Sequence, residues 1–500
     1  MRHLWAGLAV NPALPPRAVD RLIEYADPEL AGELAGRPDL TRGQVAALAA
    51  LGEDVAVKLA RAGALLAQDV DPQRRPRAAL ALLEEGRAPV EWARRLADLP
   101  ELRAALVACP GLPADVTARL AEDADPEVVA DLGWYTVDPS VLTRLAAHPS
   151  TQVRRGAAAN EATPPAVLAD LLADRPPAGS CPVCERHPVP WAHAPDCQDV
   201  DCGLPPGAYC DGTHAWARQD IRLLVLGNPA APTEAVARHL DEPSLLLRIE
   251  LARRTDLDAA AYAHLAVDPV PWLRWTIAEN PAVGEPLLRV LAEDDSDDVR
   301  RRVARHPRVP LDVLDRLAGT VKLGPNLVQR IAAATEEEVR QLAASPNPGL
   351  RVLLAQRRDL PADVRDALLA DRDAKVAGAI AGHPGLEEAR LRDLLARFGR
   401  QVATSIAANP EATAALLAEI VRAESPNVRA LRAVAVHPHA DGASLTICLS
   451  DPKAKLIAAR HPALPPQILA WLLDDPDEAV AEAAAANPAL PEEDRERLMP

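Results

Sequence analysis

Five of the seven cysteines, Cys181, Cys184, Cys197, Cys202 and Cys210, fall within residues 175–216, with three of the twelve histidines, His187, His193 and His214. Side chains of these types, crowded together, hold a metal, exchange electrons or form disulfides. Cys181-x2-Cys184, twelve residues, then Cys197-x4-Cys202 offers four thiolates to one tetrahedral Zn2+, with Cys210 and His214 as further candidate ligands. The segment is too rich in Pro and Gly for a helix or an ordinary core. A shared metal would supply the folding energy it otherwise lacks. The same thiolates suit an iron–sulfur cluster, and oxidation that releases the metal would make them a redox switch. Disulfides are the third reading, and they need an oxidising compartment. We expect one metal centre, with Zn2+ ahead of an iron–sulfur cluster, and Trp191 covering it. Cys109 and Cys448 stand elsewhere, at positions where buried structural thiols are expected.

The elements that must carry this segment are repeats. A polar anchor, usually followed by Pro, recurs at Asn11, Asn228, Asn280, His306, Asn409, His461 and Asn487, with degenerate copies near Arg37, Cys109, Asn160 and Arg254. The interval from Asn280 to His306 is 26 residues, as is that from His461 to Asn487. About eighteen units of 23–28 residues then account for nearly everything outside the insert. In the unit 297–318, Val299 and Val303 lie on one face of a first helix that opens on Asp297 and Asp298. Pro307 stops it near His306, Pro310 suits the first turn of a second helix, and Val313, Leu314 and Leu317 form that helix's apolar stripe.

The columns repeat along the chain. Seven residues before the anchor stand Leu102, Val153, Ile221, Leu247, Leu273, Val299, Val376, Val402 and Val480. Three before it stand Leu8, Leu106, Val225, Leu251, Ile277, Val303, Ile380 and Ile406. Two before it, Ala9, Ala252, Ala278, Ala304, Ala381, Ala407 and Ala485 would let neighbouring repeats approach closely. Neither helix of a unit can bury its stripe alone, so stacking must build the core. The expected fold is all-α, an α-solenoid with one irregular Cys-rich insert. Its parts are repeats 1–174, the insert 175–216 and repeats 217–500.

Segments such as VRRRVARHPRVP (299–310), SPNVRALRAVAVHP (425–438) and AVAEAAAANPALP (479–491) resemble the leucine-rich repeat variant family, and more distantly HEAT-like repeats. The resemblance covers about nine-tenths of the chain. It implies repeats that pair an α-helix with a short 3₁₀ helix, without strands, in a right-handed superhelix. Some proteins of that family carry a Cys-rich iron–sulfur segment, N-terminal to their repeats, where this chain's is internal. Separately, CDGTH at 210–214 is similar to the end of the CDGSH motif, whose Cys and His ligate a two-iron cluster. The C-x-C of that motif is replaced here by Cys197-x4-Cys202.

Two surface features invite a functional reading beside a structural one. Six residues before the anchor runs a basic column of Arg103, Arg154, Arg222, Arg248, Arg274 and Arg300, with Lys455 later, broken at Ala377, Ala403 and Ala481. It is either a groove for an acidic partner or a ladder of inter-repeat ion pairs with residues such as Asp268, Asp294 and Asp297; paired charges are the default. Trp272 and Trp275 lie one turn apart, Trp275 as filler between repeats and Trp272 as a contact point for a partner. The Asn and His anchors are expected to hydrogen-bond backbone at the helix end rather than to ligate or catalyse.

Composition narrows the function. Hydrophobic residues make up 49% of the 500, so the chain folds despite its 49 prolines, and with aromatics at 3% the core must be Leu, Ala and Val. A net charge of −17 argues against general affinity for nucleic acid or anionic membrane. No run of 18 apolar residues suggests a membrane span. The 50 arginines against 5 lysines point to a high-GC bacterium. The start, MRHLWAGLAVNPALPP, reads as a first repeat rather than a signal peptide, and a cytoplasmic location is expected. No hydrolase, zincin, Walker or dinucleotide motif is present. The expectation is a non-enzymatic scaffold that binds another protein through Arg248, Arg274, Arg300 and Trp272 and carries a metal-binding module. The alternative is an iron–sulfur redox or iron sensor with the solenoid as transducer. A HEAT-like DNA-binding protein or DNA glycosylase ranks third, because it would need a positive face.

Overall fold

The structure, a computed structural model, describes residues 2–173, 214–324 and 326–500, with the side chains of Pro126 and of residues 214–219 outside that description. The described residues form 35 α-helices and three short 3₁₀ segments, and no strand is found among them. The architecture is an α-solenoid of helix pairs.

One unit shows how the sequence dictates the pair. The first helix runs Asp297–Arg305, with both acids in its first turn, and His306 leaves the helical region at φ −64°, ψ 135°. Pro307 forbids an α conformation there, which is why the chain turns. The second helix, Leu311–Thr320, begins just after Pro310. Val299, Val303, Val313, Leu314 and Leu317 are all buried between repeats. Other second helices start on side-chain caps: Asp258 accepts from the Ala261 amide at 2.7 Å, and Thr335 forms a reciprocal capping box with Glu338. The second helices are α-helical, as in Ala259–Leu265 and Glu285–Leu291, and among the described residues the 3₁₀ segments are Ala67–Asp69, Ala237–His239 and Gly399–Gln401. This corrects the α-plus-3₁₀ unit that the family resemblance implied. Most second elements have seven residues or more, enough to close i to i+4 bonds, which are better aligned than the i to i+3 bonds of a 3₁₀ helix.

Every residue of the two apolar columns is buried, and all seven alanines two before the anchor are fully so. Each burial of a Val or Leu side chain is worth about 1.5–3 kcal/mol. The anchor side chains add direction to this core. Asn280 Nδ2 donates to Ala252 O at 2.7 Å and to Arg254 O at 2.6 Å, while its Oδ1 accepts from the Ala282 amide at 2.9 Å. Asn409 does the same to Ala381 O and His383 O, and Asn487 to Ala459 O and His461 O. The alanine column therefore has two jobs: it admits the neighbouring helix, and its carbonyls receive the next repeat's anchor. Arg37 and Arg254, read as degenerate copies, are full rungs. Arg254 Nη1 reaches Leu226 O at 3.0 Å and Asn228 O at 2.8 Å, and Asp256 holds its other edge.

By contact the chain divides into two compact units, Met1–Leu65 with Leu314–Pro500, and Leu66–Val313. In the first, the helix Arg2–Val10 packs on Glu478–Ala485, and Asn11 Nδ2 donates to Ala485 O and Asn487 O, both at 2.9 Å. In the second, helices Pro126–Tyr135 and Thr151–Ala159 approach so closely that a Cβ on Gly156 would lie 2.5 Å from Ala130 O and 2.9 Å from Gly133 Cα.

Candidate functional site

The candidate metal ligands Cys181, Cys184, Cys197, Cys202 and Cys210 lie outside the described residues, as do His187, His193 and Trp191. His214 opens the backbone of the helix His214–Gly227, its side chain outside the description. No group of three or more metal-ligating side chains occurs among the described residues.

What the structure gives is the frame on either side of the insert. The second helix of the repeat before it is Pro165–Leu172, and the first helix of the repeat after it is His214–Gly227. Asn228 Nδ2 donates to Ala158 O at 2.9 Å and to Asn160 O at 3.0 Å, spanning 70 and 68 positions of sequence. Between uninterrupted repeats the same two bonds span 28 and 26 positions. The ladder thus passes the insert with its geometry unchanged. Arg155 also pairs with Asp220 across the gap, at 2.5 Å. Burial pushes the Asp220 carboxyl above its ordinary range, and the Arg155 charge and hydrogen bond pull the other way. The re-entering helix has fourteen residues where Pro271–Glu279 and Asp297–Arg305 have nine, so it extends beyond the usual start on the side of the insert.

The basic column is brought into register, and into ion pairs. Arg248 Nε donates to Asp268 Oδ2 at 2.9 Å, and Arg274 Nε and Nη2 grip Asp294 at 2.7 and 2.9 Å. The same twenty-residue reach joins Arg103 to Asp123, Arg222 to Glu242, Arg351 to Asp371 and Lys455 to Asp475. The guanidinium also turns back on its own repeat: Arg248 Nη1 donates to Glu242 O at 2.6 Å and Arg274 Nη1 to Asp268 O at 3.0 Å. Burial opposes ionisation of Asp294, but the Arg274 hydrogen bonds and the Ser296 amide prevail and hold its carboxyl below the ordinary range. Arg300 differs. Thr320 stands twenty residues on, and Arg300 pairs instead with Asp297 of its own helix while donating to Asp294 O. A basic residue placed twenty positions before an acidic one was the sequence signal for these stitches.

The two tryptophans differ in their surroundings. Trp275 lies beneath the Arg302 guanidinium of the next repeat, 5.3 Å from its ring centroid, and Arg302 pairs with Glu279. Trp272, on the same helix, is 39% exposed, its ring centroid 6.4 Å from that of Trp275. Leu246, at the equivalent position of the preceding repeat, is half-buried. Sequence reasoning missed an apolar cleft on the second-helix side. It has a volume of about 380 Å3 and is lined by Leu257, Tyr262, Pro286, Leu287 and Val290. Its one signal was Val290, an apolar residue off the buried stripe.

The two remaining thiols are structural, as expected. Cys109 and Cys448 are free and buried. Burial pushes them up to about 12 and about 11 respectively, away from thiolate reactivity. No helix among the described residues is long and apolar enough to cross a membrane.

No family model matches the sequence, and no curated protein matches it. Among solved structures the chain is similar to one from a complex of Kap95p with RanGDP, at 12% identity and a TM-score of 0.23, covering 94% of this chain and 71% of that one. An engineered protein is similar at 14% identity and a TM-score of 0.12, covering 97% and 92%. A chain of the Pds5–Scc1 complex is similar at 13% identity and a TM-score of 0.15, covering 93% and 65%.

Proposed function

We propose that the chain is a non-enzymatic scaffold of leucine-rich-variant-type repeats that binds another protein and carries a metal-binding module in its insert. The observation that carries this reading is the ladder's passage from Asn160 to Asn228 without a change of geometry. An insert that the stack does not need for its own continuity is a module mounted on a frame. The donor set fits a metal: Cys181, Cys184, Cys197 and Cys202 would hold Zn2+ tetrahedrally, with Cys210 and His214 as alternates. Bound Zn2+ would supply folding energy to a Pro- and Gly-rich segment. On the frame, the partner surface is the first-helix face around Trp272, edged by Arg300, with Arg248 and Arg274 holding the repeats beneath it in register.

The pairing of Arg248 and Arg274 with aspartates supports a protein partner over nucleic acid, since those charges are already neutralised within the fold. The test is anaerobic purification with a zinc and iron assay and a visible spectrum. One zinc per chain and no colour is the expected result, and Cys181→Ser with Cys184→Ser should abolish it. Stoichiometric iron with visible absorbance would instead favour the sensor reading. Neither metal, with five reactive thiols, would overturn both. Trp272→Ala should weaken capture of a partner by about tenfold or more while leaving metal content unchanged.

A further inference from the structure

We infer that the joint between residues 2–24 and residues 478–500 is a self-recognition interface, whose two faces also fit each other between two copies of this chain. Its geometry is that of neighbouring repeats. Asn11 reaches Ala485 O and Asn487 O at 2.9 and 2.9 Å, where Asn487 reaches Ala459 O and His461 O at 2.8 and 2.9 Å. Leu4, Leu8 and Ala9 are buried on one side, and Val480, Ala481, Ala484 and Ala485 on the other. A Cβ on Gly7 would lie 2.8 Å from Ala485 Cβ and nearer still to Glu482 O, so glycine is what allows this approach. The joint has its own polar contacts as well. Trp5 Nε1 donates to Leu498 O at 2.8 Å, Arg21 pairs with Glu496 at 3.2 Å, and Arg495 donates to Ala13 O.

The covalent connection is what differs. Apart from the pair that flanks the insert, consecutive repeats are tied by a short turn, whereas the Asn11 to Ala485 bond spans 474 positions. Among the described residues, side-chain and carbonyl contacts are what hold the two faces, so they can part while each repeat stays folded. Every copy carries both faces, and a face left open by one copy matches the opposite face of another. At low concentration the joint within one chain wins, because its own face is present at high effective concentration. Exchange between copies is then a domain swap with no new contact.

Two full-length variants test this. Gly7→Leu blocks one face and leaves the 478–500 face intact; Ala485→Leu blocks the other and leaves Gly7 intact. Each alone is expected to be monomeric by light scattering, with helical content retained and amide exchange in residues 2–10 about tenfold or more faster. Mixed at equal concentration, the two should form a 1:1 dimer through the single unblocked joint, and Asn11→Ala in the Ala485→Leu partner should weaken it. Two monomers that never associate would overturn the inference. Should either variant lose helix, the wild type decides. Two pools bearing donor and acceptor dyes, opened in moderate urea and returned together at high concentration, should show energy transfer that wild-type unlabelled protein competes away. Absence of transfer would again overturn it.

Discussion

His306 shows how far one side chain's chemistry is set by the repeat. Its Nδ1 accepts from the Arg308 amide at 3.1 Å, so its Nε2 must be the protonated nitrogen, which donates to Asn280 O at 2.9 Å. A second proton on Nδ1 would face an N–H. Burial holds the imidazole below its ordinary pKa, and the Arg308 charge adds to this against the carbonyl's opposing pull. Burial does the same to His383 and His437. The unfolded chain binds a proton near pH 6.5 while the folded chain still resists it. Stability is therefore full above about pH 6.5 and falls below it, by at most about 2 kcal/mol per histidine at pH 5. Carboxylates such as Asp451, pulled down to about 2 by Arg432 hydrogen bonds, lose their contribution only at still lower pH. We predict that the melting temperature drops between pH 7 and 5, and that His306→Asn, which keeps a ladder-forming side chain, shrinks the drop with little change at pH 7.5. The anchor positions were legible in the sequence by their period. That Arg37 and Arg254 serve as rungs was not, because pattern reading ranks side chains by type whereas the ladder asks only for a donor that reaches.

At the scale of helices, two kinds of contact decide how repeats seat on each other. The Arg274–Asp294 stitch is nearly closed to solvent on both sides, so it should count for more than a surface pair. A double-mutant cycle of Arg274→Ala and Asp294→Ala is expected to give a coupling of about 1–2 kcal/mol. The same cycle on Arg94 and Asp115, an exposed pair screened by solvent, should give a smaller coupling. Close packing at Gly156 makes a second contrast. Gly156→Ala forces its Cβ against Ala130 O and should cost about 1–3 kcal/mol, while Gly52→Ala meets no atom within 4 Å and should be neutral in chemical denaturation. Helix starts and stops followed from Pro, Asp and the anchor. The helical type of the second element did not, since seven residues after a proline do not by themselves announce their winding in the sequence.

The whole molecule holds the least legible features. Periodicity says that each repeat stacks on the next; it is silent on whether residues 2–24 meet residues 478–500, because every interval reads alike. The Cys cluster stood out by composition, and the ladder's passage across it came only with the structure. If the stack is indifferent to the insert, replacing residues 175–213 by a short Gly-Ser link should leave the melting temperature within about 2–4 °C of the parent, a shift that corresponds to roughly 1 kcal/mol in a cooperative unit the size of Leu66–Val313. Loss of cooperative unfolding in that variant would show that the insert holds the two repeats together.

The unbroken rung from Asn228 to Asn160 also has a practical reading. A point where forty residues can leave and return without shifting the backbone on either side is a docking port for cargo. A reporter domain, a short epitope or a foreign metal peptide spliced between Ala173 and His214 would be displayed at a fixed place between two stacked repeats, and the Asn228 contacts would serve as its alignment gauge.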